Sequence, residues 1–428
     1  MTNSGSSFLN RMLFCPEGKA QRSSQIWHTV FSILNALQST LMLFLVTRMF
    51  GSEKAGVIST AFSIAYLMIM IGNYGVRNFQ ATDLSVNFGF REYRMHRRAT
   101  CTLMAAASIA YVLFRGYEPE KAAIVLLCCL LKIIESIENV YHAEYQRASR
   151  LDTASKIGTI RLGMTLLVFV IGLAVTGSIL ISFAAMVLTA AVLLAALLLY
   201  TRPRISVAEA KKPTDWKQIF VICLPLFLSS FCYIYICNAS KYALDVFATE
   251  AEQGFYGMIF MPVFTINLIS NCIYGPFLVR LAGYWQANRM EPMKRFVMLQ
   301  TAALAGLCAA ACGAGYLLGT QVLSVFYGCD LSEFRIPLVI LLVGSGMTAM
   351  VDFTNNVLTV IRKQKALVWI YGVFAVFSFF CTRLLVTRFS IAGAAYAYTL
   401  VMTLQATVMF LYLMQSLRKG NRTPALEN

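Results

Sequence analysis

Apolar residues run in stretches of about 20, broken by short polar segments, twelve times along the 428 residues. A helix needs about 20 apolar residues to cross the hydrocarbon core of a bilayer. Spans are therefore expected near residues 27–50, 55–74, 99–114, 122–141, 162–176 and 178–200. A second set is expected near 219–237, 255–278, 297–318, 337–360, 366–386 and 391–417. The longest breaks, about 75–98 and 201–217, divide the pattern. The second of them carries two prolines and several basic residues, and separates two sets of six spans. The expected organisation is thus a six-helix lobe over 1–200, a cytoplasmic linker over 201–217 and a second six-helix lobe over 218–428.

Composition agrees with the pattern. Hydrophobic residues make up 58% and charged residues only 13%, and mean hydropathy is +0.66. Soluble domains carry about a quarter charged residues. A bilayer lets the outside of a fold be apolar too, so the class is an all-α integral membrane protein of about twelve transmembrane helices. The polar first 25 residues lack the apolar core of a cleaved signal peptide. Twelve cysteines lie mostly inside apolar runs, as Cys128, Cys129, Cys223 and Cys381 do, and read as small reduced hydrophobes. Three histidines without an HExxH pattern offer no metal motif.

The net charge of +16 does not point to nucleic acid, because the basic residues fall in loops between spans. Such loops set membrane orientation. With the N-terminus inside, 27 of the 36 Lys and Arg residues fall on the cytoplasmic side and 8 outside, leaving Lys132 in a span. Both termini are expected in the cytoplasm. Acids gather outside instead, among them Glu118, Glu120, Glu250, Glu252 and Asp330.

The two halves repeat. The first has FGSE from Phe50, then Gly56, Phe62 and Asn73; the second has FATE from Phe247, then Gly254, Phe260 and Asn271. Gly to Phe is six residues and Gly to Asn seventeen in both. An even number of spans per half makes this a parallel pseudo-twofold repeat, an arrangement transporters use for alternating access.

The segment FGSEKAGVISTAFSIAYLMIMIGNYGVRNFQATDLS, from Phe50 to Ser85, resembles the start of bacterial polysaccharide-biosynthesis membrane proteins. These are the O-antigen, capsule and exopolysaccharide flippases of the multidrug/oligosaccharidyl-lipid/polysaccharide exporter superfamily. ESIENVYHAEYQRASRLDTASKIGTIRLG, from Glu135, is similar to that family's segment from the fourth to the fifth helix. The resemblance implies a two-lobed twelve-helix fold in a bacterial plasma membrane. It implies an undecaprenyl-diphosphate-linked oligosaccharide as cargo, moved from the inner to the outer leaflet, and other polysaccharide-assembly proteins as partners. No bound cofactor is expected; a proton or sodium gradient or the membrane potential would drive transport. A drug or metabolite antiporter of the same superfamily is the main alternative. A polytopic glycan polymerase is a weaker one, because no outer loop exceeds about 20 residues, and long loops are where such function usually sits.

Charged groups inside spans are costly and therefore informative. The fourth span carries Lys132, Glu135, Glu138, Asn139, His142 and Gln146, within about 60° of one line on a helix. They form either a wet cavity wall or, for Lys132 and Glu135, a neutral structural pair. The tenth span carries Asp352 and Asn355, Lys241 stands near the outer end of the seventh helix, and Arg77 follows the second. A lipid diphosphate cannot enter hydrocarbon uncompensated. Lys132 is the expected principal cation for it, Arg77 the expected first contact. Glu135, Glu138, His142, Asp352, Asn355 and Lys241 complete the candidate set.

Overall fold

A computed structural model describes residues 10–83, 86–205, 215–274 and 277–419. Among these every regular element is helical. Fourteen helices are used below. In the first half they are α1 (Glu17–Asn73), α2 (Val76–Thr82), α3 (Phe90–Arg115), α4 (Pro119–Arg147), α5 (Leu151–Thr176) and α6 (Ile179–Thr201). In the second they are α7 (Gln218–Phe247), α8 (Glu250–Ile259), α9 (Met261–Tyr274), α10 (Leu278–Gln286), α11 (Met290–Ala314), α12 (Thr320–Tyr327), α13 (Arg335–Val360) and α14 (Gln364–Lys419).

Seven stretches are long and apolar enough to cross a membrane. Two of them, α1 and α14, are broken and cross twice. Gly51 breaks α1 with φ +83°, a left-handed region that glycine enters without penalty. The two arms then run antiparallel, since Phe31 and Asn35 face the same cavity as Ile69 and Asn73. Ser390 breaks α14 with φ 43° and ψ −120°, a conformation unfavourable for a residue with a Cβ. Its hydroxyl donates to Glu252 Oε1 at 2.5 Å, and Gly393 lies so close to the Leu385 carbonyl that a Cβ would collide with it. The helices α3, α4 and α8–α9 complete twelve crossings. Charged turns keep α3 and α4 out of the seven, and a break at Phe260 divides α8–α9 into pieces of 10 and 14 residues.

The helices extend beyond the apolar runs. α3 begins nine residues before the expected span, and α5 eleven residues before. Both added segments are rich in Lys and Arg, and a hydropathy window discards them. The expected loop at 75–98 contains two helical pieces, α2 and the start of α3. A matching short helix, α10, follows the eighth span. The linker over 201–217 lies largely outside the described residues, apart from a 3₁₀ turn at Arg202–Arg204 and its last three residues. Gly275 and the Asn271 side chain, part of the repeat, also lie outside them.

The chain forms two compact units, one of Met1–Val46 and Val57–Phe231, the other of Thr47–Gly56 and Cys232–Asn428. In the first unit, α5 packs chiefly on α6, and α4 on α3 and α6. In the second, α13 packs chiefly on α14, α9 and α11. There Gly56 and Gly254, aligned by the repeat, leave no room for a Cβ: one would strike the carbonyl of Glu250, the other that of Ser52. A capping box starts α8. Thr249 Oγ1 accepts from the Glu252 N–H, and Glu252 Oε2 accepts from the Thr249 N–H at 2.8 Å, which satisfies donors a helix start leaves open.

Candidate functional site

The polar face of α4 is buried inside the first unit. Pro119 in its first turn suits the fixed φ of a helix start, and 29 residues of unbroken helix then carry that face from one end of the unit toward the other. Lys132 is 1% exposed. Its ammonium donates to Glu135 Oε2 at 2.7 Å and to Gln38 Oε1 at 3.3 Å, and stands 4.7 Å from the ring centre of Tyr66. The charge is thus closed on three sides by groups of its own unit.

One turn further, Glu138 meets Arg161 of α5. The Arg161 Nε and Nη2 groups both donate to Glu138 Oε2 at 2.7 Å. Because both converge on one oxygen, Glu138 Oε1 and Arg161 Nη1 are buried without partners. Arg97 of α3 is a third buried cation, 2% exposed. It donates to the Gly72 carbonyl, to Ser136 Oγ at 2.9 Å, to Asn73 Oδ1 at 3.2 Å and to Asn139 Oδ1 at 3.5 Å. The guanidinium thereby caps the end of α1, whose last carbonyls have no partner within the helix.

At that end the chain bends. Tyr74 and Gly75 are both left-handed, with φ 49° and 67°. A Cβ on Gly75 would lie 2.9 Å from that of Leu226, so glycine is required by conformation and by space. The bend starts α2 on a new axis and brings Arg77 back to the polar face of α4. Arg77 makes no hydrogen bond or ion pair among the described residues; it shares the cavity with the carboxylates of Glu135 and Glu138. In a low-dielectric setting an unpaired charge is expensive, so Arg77 needs water or an anion.

These groups surround a cavity of about 120 Å³, enough for several waters. Phe31 and Asn35 come from the first arm of α1, Ile69 and Asn73 from its second, and Arg77 from α2. Glu135, Glu138, Asn139 and His142 come from α4 and Arg161 from α5. His142 packs its edge on Phe31, with centroids 4.9 Å apart, and its Nε2 is buried and unpartnered. With Lys132–Glu135 and Arg161–Glu138 each neutral, the cations left without an acidic partner among the described residues are Arg77 in the lining and Arg97 behind it.

Of the residues expected from sequence, Arg77, Glu135, Glu138 and His142 share this cavity, and Lys132 stands behind it, joined through Glu135. Asp352, Asn355 and Lys241 belong to the second unit. There Asp352 Oδ1 accepts from the Tyr233 hydroxyl at 2.5 Å. Lys241 stands 4.6 Å from the ring centre of Phe260 and makes no ion pair among the described residues. The backbone carbonyl of Asn355 accepts from Thr359 Oγ1 at 2.8 Å. Lys241 and Asp352 do not pair with each other.

Sequence reading missed Arg97 and Arg161. Both were assigned to cytoplasmic loops, yet both are buried within helices. The available signal was Gly158, three residues before Arg161. A Cβ there would press on Phe31 and lie 2.9 Å from Glu138 Oε1, so a small residue opens the way for the ion pair.

Twelve crossings in two helical units make a polytopic membrane fold, and comparison with solved structures specifies which. The chain is similar to an inward-facing multidrug resistance MATE family transporter of the MOP superfamily (TM-score 0.66, 12% identity, 91% of this chain and 96% of that one). It is similar to an outward-facing MATE family transporter of that superfamily (TM-score 0.61, 13% identity, 99% and 100%). A third likeness is to a MOP superfamily transporter from Pyrococcus furiosus, described by a reverse polarity of its binding pocket that suggests a different function (TM-score 0.60, 13% identity, 99% and 100%). The fold is that of the MATE transporters. No family model and no curated protein matches the sequence.

Proposed function

We propose that this chain is a flippase. It moves undecaprenyl-diphosphate-linked oligosaccharide from the inner to the outer leaflet of a bacterial plasma membrane by alternating access, with both termini in the cytoplasm. The observation that carries the reading is Arg77, a cation within a helical lobe with no anionic partner of its own, facing a polar cavity. A diphosphate headgroup brings the missing negative charge. The resemblance of the segments from Phe50 and Glu135 to polysaccharide flippases supports the same cargo. A fold that transporters of the MOP superfamily adopt in both inward- and outward-facing forms supports alternating access and is neutral as to cargo. Lys132 supports the site indirectly, by holding Glu135 neutralised at the cavity wall.

Export of cationic drugs is the second reading, favoured by the description of a structural neighbour as a multidrug resistance transporter. Two cations without acidic partners, Arg77 in the lining and Arg97 behind it, oppose it. The test is complementation of a strain lacking this gene. Surface glycan should return with the wild type, fall to about a tenth or less with Arg77→Ala, and recover in part with Arg77→Lys, as expected for one charge-assisted contact of about 1.5–3 kcal/mol. Normal glycan in the deletion strain, with cationic dye retained, would turn the assignment to the drug exporter.

A further inference from the structure

We infer that the cavity of the first unit is a phosphoryl subsite, in which the side-chain amides of Asn73 and Asn139 donate to the ligand and Arg97 is the residue that positions them. This deepens the flippase reading and rests on it for the source of the phosphoryl group.

The argument starts from what a guanidinium can do. It has five N–H donors and no acceptor, so an amide facing it must present oxygen. Arg97 faces both amides, with Asn73 Oδ1 at 3.2 Å and Asn139 Oδ1 at 3.5 Å. Each side chain also lines the cavity. With the oxygens turned to Arg97, the NH₂ groups are the ends left for the cavity. Neither NH₂ group makes a hydrogen bond among the described residues. Arg161 Nη1 is another donor without a partner, and Arg77 adds a whole unpaired guanidinium.

Four residues therefore bring unused donors to one small space, and the charge left without acidic partners around it, on Arg77 and Arg97, is positive. Planar cationic forks and amide N–H groups together are the chemistry that recognises phosphoryl oxygens. The same lining holds two unpartnered acceptors, Glu135 Oε1 and Glu138 Oε1. They would repel a bare oxyanion but accept from bound water, or from the O–H of a free hydrogen phosphate. A lipid-linked diphosphate diester has no such O–H. The two sources thus share the donor contacts and differ at the carboxylates.

Arg97 touches no ligand in this scheme. Without it both amides could rotate and offer oxygen to the cavity, replacing attraction by repulsion.

The experiment uses the full-length purified protein in detergent at about pH 8.5, where farnesyl diphosphate has lost its last P–O–H proton and hydrogen phosphate keeps one. Farnesyl diphosphate, inorganic phosphate and farnesol are each titrated calorimetrically. Asn73→Asp and Asn139→Asp keep shape and the acceptor facing Arg97 but turn the donor end into an acceptor. Each should weaken farnesyl diphosphate binding about 10- to 100-fold without changing farnesol binding. Arg97→Gln should weaken it as much, and Arg97→Lys should restore part. Asn139→Ser serves where a charged variant elutes as aggregate, with a loss of about 10-fold. Unchanged affinity in folded variants overturns the inference, and so does equal loss of farnesol binding. If inorganic phosphate binds as tightly as farnesyl diphosphate with the same variant dependence, the subsite stands and its ligand is free phosphate, against the flippase reading. If glycan export is intact in both Asp variants and their binding is normal, the flippase reading stands and the subsite falls.

Discussion

Breaking the Glu138–Arg161 pair should cost far more than its net worth to the fold. Both side chains are nearly fully buried, at 4% and 1% exposed, and two 2.7 Å contacts join them. Removing one partner leaves the other charged and buried, at about 3–5 kcal/mol. Removing both, as Glu138→Gln with Arg161→Gln, removes the orphan as well, and such exchanges of buried pairs are often close to neutral. With the double variant near neutral, the cycle should show a coupling close to the sum of the two single losses, about 6–10 kcal/mol. On the scaling for chains of 150–250 residues, about 2–4 °C per kcal/mol, each single variant should melt roughly 6–20 °C lower, and the double variant should recover most of that loss. Thermal denaturation of the purified protein, followed by size-exclusion chromatography, reads all four corners. Single variants within 1 kcal/mol of the wild type, or additive effects in the double, would show that water reaches the pair and screens it, and the account of the cavity as a low-dielectric site would fail.

Gly158→Ala should destabilise by about 1–3 kcal/mol, the usual cost of overpacking, because the new methyl meets Phe31 and Glu138; an unchanged melting temperature would show that both yield freely. Asp83, in the loop before α3, should make stability fall in acid. Burial alone would raise its carboxyl, but N–H bonds from Asn87 and Phe88, with the Tyr93 hydroxyl and the Asn87 side chain, outweigh it and hold the group below its usual value. A depressed folded value means the stabilisation is full above the unfolded value of 3.8 and is lost as pH falls through the lower folded one. The stability gap between wild type and Asp83→Asn should therefore be constant at neutral pH and close only below about pH 4. For topology, cysteines introduced near Pro213 and at Asn428, both outside the described residues, should react with an impermeant maleimide only after the cells are opened; labelling of intact cells would reverse the orientation.

The crossings were legible because each demands some 20 apolar residues, a signal few other structures produce. The pair of Lys132 and Glu135 was legible as well, from a spacing of three on one helix. The Glu138–Arg161 pair was not, since its partners lie on different helices and only the fold brings α5 against α4. Arg97 and Arg161 misled for a physical reason. An arginine near a span end has the same local sequence whether it meets water or a buried partner, and the charge rule counts both as cytoplasmic. The short helices α2 and α10 were missed because neither carries an apolar run long enough to register.

The burial of Arg97 has a consequence for how the chain enters a membrane. The first turns of α3 hold Arg91, Arg94, Arg97 and Arg98, and neither α3 nor α4 is among the stretches apolar enough to cross by themselves. An arginine at the centre of a helix leaving the translocon costs about 2.5–3.5 kcal/mol, less near its end. The groups that satisfy Arg97 beyond α1 are Ser136 and Asn139 of α4, which the ribosome makes some forty residues later. During synthesis α3 therefore emerges before its own solvation is complete. The favourable order is for α3 to wait at the translocon and partition into lipid together with α4 as a hairpin, so that the later helix sets when the earlier one is committed to the bilayer.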